Sequence, residues 1–447
     1  MKSRFSTAAV FPIAALLCGL MCGGVASSEP IAAEDVKPST ETQQIPEVAE
    51  AIKLFQSRKF PETLEQLKLA AENNPDLPPA QVMMAELFAR ANQGVAVRSA
   101  LESAVVESPS DPEAYVLLGE LALRGGRITE GHLCLKEAAG LLSSFDRSEK
   151  RKGILTKRVL AGLATAAQAR KQWPVAQQYL QQWLKADEKN VAAMQRLAAV
   201  LFQQGRASEA LVQLKAAEAE DPENVLSSAA TLAEFYLQAG DEENAKKWID
   251  YALKKSPRDA RVKLVASQMY LQMGNLDDAE KNATAAMQLD PKSVPAMVLS
   301  GVVALFRQNY RKAEQDFQLA LLEKPGNFEA KNNLALALAE QDDDAKKRSA
   351  LAYAKENAQL FPQRTEAVST YGWVLYQAGQ VAEADRIMQQ LLRSGNFTAD
   401  TAYYIARIAV DQGRKDQAKQ LLEAALGKAK LFSRKPDAEA LLKTLQE

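Results

Sequence analysis

Apolar side chains recur along most of this chain at the spacing of one helix face, and the helices so marked come in pairs. Between Val191 and Asn224, Met194, Leu197, Ala198 and Leu201 fall at i, i+3, i+4 and i+7, and Leu211, Leu214 and Ala217 line one side of a second stretch. That period predicts two amphipathic helices. Gly205 separates them, at a turn where a positive φ costs glycine little, and Pro222 ends the second because proline cannot continue a helix.

The same pattern returns down the sequence. Pro75, Pro109, Pro222, Pro257, Pro291, Pro325 and Pro362 recur, with close neighbours 34 to 37 residues apart. Twelve residues before the last five stand Ala210, Ala245, Ala279, Ala313 and Ala350, and the column continues as Ala384 and Ala418. Side chains this small let antiparallel helices approach to about 8 Å between axes. Turn glycines precede several of them, at Gly205, Gly240, Gly274, Gly379 and Gly413. A period of this size predicts an array whose units bury their apolar faces on one another and present a long surface rather than a pocket. Binding, not catalysis, is the activity expected of it.

The set Ala198, Gly205, Ala210, Ala217 and Pro222 resembles the tetratricopeptide repeat. The resemblance extends over residues 44–430, in units starting near Gln44, Pro78, Pro112, Lys157, Val191, Leu226, Ala260, Val294, Phe328, Thr365 and Ala399. It implies an all-α fold, a right-handed α-solenoid of about eleven helix-turn-helix repeats. A capping helix over residues 431–447 is expected to cover the end of the stack. Thr63, Val97 and Gly131 replace the usual crossing alanine in the first three units, and Trp183, Asn357 and Leu391 replace the later one in units four, nine and ten. Units one to three occupy residues 44–145 and units four to eleven residues 157–430, with an insertion at 146–156. The mixed charge of that insertion, and of Gln341 to Arg348, predicts solvated tips.

The chain begins with Lys2 and Arg4, an apolar run from Ala8 to Met21, then Gly24 and Ala26, which predicts a cleaved export signal over residues 1–26. Met21 before Cys22 and Leu17 before Cys18 argue against a lipid anchor, and the interrupted apolar run argues against a membrane span after cleavage. Residues 27–43 carry no apolar period and are expected to form a flexible leader. Loss of Lys2 and Arg4 takes the formal charge from −1 to −3, which makes no electrostatic case for nucleic acid. Cys134 is then the one cysteine left, so intramolecular disulfides are excluded.

His132 is the sole histidine. With Cys134 two residues away it cannot supply the ligands of a zinc site, and no Gly-rich phosphate loop is present. No cofactor, metal or enzymatic activity is expected. Carboxylates are plentiful, but nothing in the sequence singles out a pair.

The resemblance implies that certain positions of each first helix line the concave side. Those positions hold Val298, Val302, Asn332, Leu336, Ser369, Trp373, Tyr376, Tyr403 and Arg407. Val302, Asn332, Trp373, Tyr376 and Tyr403 are the candidate partner-binding residues, an exposed aromatic row with an amide that can pair with a peptide backbone. The alternatives are that Trp373 and Tyr376 pack on the next unit or the closing helix, or that the rings stack on sugars in a carbohydrate- or peptidoglycan-associated module. The carboxylate clamp of some family members is absent, since Glu366 and Thr370 follow Asn332 and Asn333 where a basic pair belongs. Exported members of the family serve envelope assembly, polysaccharide secretion and pilus systems. The resemblance and the signal together predict a protein-binding scaffold in the periplasm or at the outer membrane.

Overall fold

The computed structural model of the protein describes residues 45–447, so the expected signal and leader lie outside the described residues. Those described form 23 helices and no strand, as eleven consecutive pairs and a closing helix. They divide into two compact units that meet in sequence between Leu232 and Ala233. The first holds the pairs α1 (Pro46–Gln56) and α2 (Phe60–Asn73), α3 (Ala80–Arg90) and α4 (Gly94–Glu107), α5 (Pro112–Arg124) and α6 (Ile128–Ser144), α7 (Glu149–Ala169) and α8 (Trp173–Ala186), and α9 (Val191–Gln203) and α10 (Ala207–Glu220). Helix α11 (Ser228–Gln238) spans the boundary and precedes α12 (Glu242–Lys255). The second unit continues with α13 (Ala260–Gln272) and α14 (Leu276–Leu289), α15 (Val294–Phe306) and α16 (Tyr310–Glu323), α17 (Phe328–Ala339) and α18 (Asp344–Leu360), α19 (Thr365–Gln377) and α20 (Val381–Ser394), and α21 (Ala399–Asp411) and α22 (Lys415–Lys428). Helix α23 (Lys435–Gln446) closes it.

Local chemistry sets these ends. Asp111, Asn190, Asp259, Ser293, Asn327 and Thr398 cap first helices by accepting a main-chain N–H one turn in. The turn inside every pair but the ninth uses one left-handed residue. Gly205, Gly240, Gly274, Gly379 and Gly413 supply it at φ of 76 to 81°, and where glycine is lacking Arg58, Asn92, Lys171 and Gln308 adopt φ of 54 to 58°.

Packing explains the alanine column. Ala210, Ala245, Ala279, Ala313, Ala350, Ala384 and Ala418 are all 0% exposed, each at the crossing within its pair. Second helices pack in turn on the following first helix through α1 to α10 and from α12 to α22. The eighth pair varies the scheme. Phe317 of α16 is fully buried, and a Cβ on Gly301 of α15 would stand 2.5 Å from its ring, so a larger residue there is excluded by the phenyl.

The insertion at residues 146–156 is a packed element and not a solvated tip. Its last residues are the first turns of the 21-residue α7, capped by Ser148. Arg151, 5% exposed, pairs with Asp111 at 2.8 Å and Glu113 at 2.7 Å, and its guanidinium lies 5.1 Å from the Phe145 ring. Arg147 donates to the Ala71 carbonyl at 2.7 Å. Two carboxylates at the start of α5 require a compensating charge once withdrawn from water, and the insertion brings it.

Candidate functional site

The aromatic residues expected on the concave side converge in the second unit. Trp373 of α19 stacks on Tyr404 of α21 with ring centroids 4.4 Å apart, and on Tyr376, one turn later in its own helix, at 5.2 Å. Tyr403 lies 5.8 Å away at a tilt. Offset stacks and tilted pairs of this kind favour aromatic rings beyond the area they bury. Trp373, Tyr376 and Tyr403 are therefore brought together. Val302 of α15 and Asn332 of α17 are buried apart from this cluster. The Oδ1 of Asn332 has no hydrogen-bond partner among the described residues.

The row is not exposed. Trp373 is 2% exposed, and Tyr403 is buried as well. What covers them is the chain's own segment between α22 and α23, where Phe432 and, at the start of α23, Ala438 join the same apolar cluster. Trp373 thus packs both on the next pair, through Tyr404, and under the segment leading into the closing helix, the alternative to an exposed row.

Arg434 holds the segment in place. Its guanidinium pairs with Glu340 just beyond α17 and donates to the Tyr310 hydroxyl at 2.9 Å and to Asp437 at 3.0 Å. It also lies 5.6 Å from the Trp373 ring, 5.9 Å from that of Tyr403 and 5.8 Å from that of Tyr310. Glu340 accepts in addition from Trp373 Nε1 at 2.5 Å and from Gln377 Nε2 at 3.3 Å. These partners come from pairs eight, nine, ten and eleven. One arginine reaches four successive pairs, through the first residue of α16, the residue after α17, and the rings carried by α19 and α21.

Flanking contacts extend the arrangement. Ser433 and the main-chain N–H of Arg434 both donate to Asp400, at 2.7 and 2.9 Å. Burial pushes the Asp400 carboxyl above its ordinary value, against these hydrogen bonds that favour its charge. Burial likewise raises the Tyr310 hydroxyl, with the Arg434 charge opposing it. Gln308 donates to Asp437 at 3.1 Å, and Lys430 pairs with Glu242 at the start of α12. Beyond the covered rings, Tyr376 keeps a partly exposed edge and donates to Asp411 at 2.5 Å while Arg407 approaches its hydroxyl at 3.2 Å.

Tyr310, Glu340, Asp400, Phe432 and Arg434 were not legible as site residues. They sit at helix ends and in an aperiodic linker, and no repeat column marks them. His132 and Cys134 lie partly exposed on α6. Among the described residues no group of histidine, cysteine and carboxylate side chains could hold a metal ion, and no helix is long and apolar enough to cross a membrane.

Helix pairs of this length with this alanine column have the arrangement of the tetratricopeptide repeat. Tetratricopeptide repeat family models match residues 162–225, 201–269, 260–293 and 370–431, so the chain carries such repeats in both units. A tetratricopeptide repeat protein from Parabacteroides merdae is 18% identical, with 57% of this chain and 99% of that one covered at a TM-score of 0.46. Yeast Tom70 is 15% identical, covering 90% of this chain and 95% of its own at 0.35. PilW, a type IV pilus biogenesis factor, is 23% identical over 49% of this chain and 97% of its own at 0.38. No curated protein matches the chain.

Proposed function

We propose that this chain is a non-catalytic protein-interaction scaffold of the bacterial cell envelope, which holds a partner segment on the first helices of pairs eight to eleven. Tyr376 offers the accessible edge of that surface, beside the covered rings of Trp373 and Tyr403, whereas Val302 and Asn332 are buried in their own pairs and stand outside it. One observation carries the reading: a non-helical stretch of this chain, Lys430 to Arg434, already lies against residues of those four pairs, anchored by main chain, charge and aromatic contacts. A surface that accommodates one peptide segment in this way is suited to another. The envelope location rests on the signal-like residues 1–26.

Tyr376→Ala alters the accessible edge of the strip and leaves Trp373 stacked on Tyr404. In affinity capture from envelope extract, with wild type and variant melted in parallel, the variant should lose a defined protein while still unfolding in a cooperative transition above the capture temperature. An identical captured set would remove the strip from the function. N-terminal sequencing of protein from the native host checks the address, where retention of Met1 contradicts export.

A further inference from the structure

The Arg434 contacts describe more than a helix end tied down. A guanidinium is met on its edge by the Glu340 carboxylate and the Tyr310 hydroxyl, and by three aromatic rings with centroids within 5.9 Å. Glu340 is fixed before the arginine arrives, by the indole N–H of Trp373 and the amide of Gln377. Planar, delocalised charge suits such a cage and a lysine ammonium does not, because lysine lacks both the fork and the stacking face. We propose that this cage is an arginine-recognition site, and that it takes an arginine-bearing peptide segment of a partner in exchange for the chain's own Arg434. The proposal deepens the scaffold reading and rests on it by naming the chemistry of the partner.

The occupying segment is held by few buried residues: Phe432, Arg434 and Ala438, whereas α21 alone buries eight. Lys430 and Glu242 meet with side chains 64% and 47% exposed, a pair of little energetic weight. Segments with few buried contacts open well below the global unfolding free energy. Their departure would uncover Glu340, 11% exposed with Arg434 in place, and the faces of Trp373 and Tyr403. A carboxylate left in that apolar setting needs a cation to replace the lost one. Charge complementarity thus selects a basic partner segment, and the rings select arginine.

Tethering sets the size of the competition. A short linker presents Arg434 at an effective concentration of about 1 mM, so a free peptide of equal intrinsic affinity binds the intact chain roughly 10²-fold more weakly or worse. The probe is a fluorescent peptide of this chain's residues 429–438, titrated by anisotropy into full-length wild type, Arg434→Ala, and Arg434→Ala with Glu340→Gln. Binding to Arg434→Ala at least about tenfold tighter than to wild type, lost in the double variant and lost for a peptide with alanine at the arginine, is the expected result. If Arg434→Ala melts early, Arg434→Lys is used with the same expected order. Absence of binding to a variant that melts normally, or binding that ignores the peptide's arginine, overturns the arginine site. Either result leaves the scaffold reading to the independent capture by Tyr376, so the two failures are distinguishable.

Discussion

Trp373 and Arg434, 61 positions apart in the chain, share one carboxylate: the indole Nε1 donates to Glu340 Oε1 and the guanidinium pairs with the same group, while its carbon lies 5.6 Å from the indole ring. The most prominent candidate binding residue of the sequence is therefore a core residue for as long as the C-terminal segment is seated.

Truncation of Trp373 follows from that position. With the ring 2% exposed and stacked on two tyrosines, Trp373→Ala should lower stability by about 3 to 5 kcal/mol. Denaturant unfolding measures it. A loss confined to partner affinity, at unchanged stability, would contradict the packing described.

The alanine column makes a second prediction. Ala210→Leu and Ala313→Leu force methylenes into crossings where the native side chains are 0% exposed, and each should cost about 1 to 3 kcal/mol. Glu209→Leu, one residue away on the solvent side, should leave the unfolding midpoint unchanged. Equal effects at all three positions would displace the helix register.

Most of the fold was legible for the same reason. Ala210 or Gly205 answers to a neighbour at fixed distance in sequence, so each recurs with the repeat and can be read as a column. The insertion and the candidate site followed another logic. Arg151 finds Asp111 and Glu113 38 to 40 residues away, and Arg434 finds Tyr310 124 residues away, through contacts that occur once. Non-repeating contacts leave no period, and a charged linker reads as solvated until its partner carboxylates are located. The rings and a closing helix were legible, but Phe432, Arg434 and the carboxylates that seat the covering segment were not.

Acid stabilises one feature of the first unit. Burial in a cavity lined by Val48, Ile52, Leu67, Met83 and Leu87, together with the charge of Glu113, raises the Glu86 carboxyl to about 7, while Arg90 and Arg158 pull it down. The folded chain thus holds this proton more tightly than the unfolded one. Its contribution is full below the unfolded value near 4.5 and is lost as pH rises through 7, a change of about 2 to 3 kcal/mol. Glu234, raised by burial to about 7, acts in the same direction. Urea midpoints between about pH 5 and pH 8 should fall in wild type and fall less in Glu86→Gln, and a slope untouched by the substitution would refute the assignment.

The scaffold reading is tested most directly where the partner would lie. A photocrosslinking residue placed at Tyr376, on the accessible edge of the strip, is compared in the native host with one at Leu322, 78% exposed on α16. The account predicts a discrete crosslinked protein at position 376, strengthened in Arg434→Ala, with nothing comparable at 322. The same products at both positions, or a discrete product at 322 alone, would contradict it.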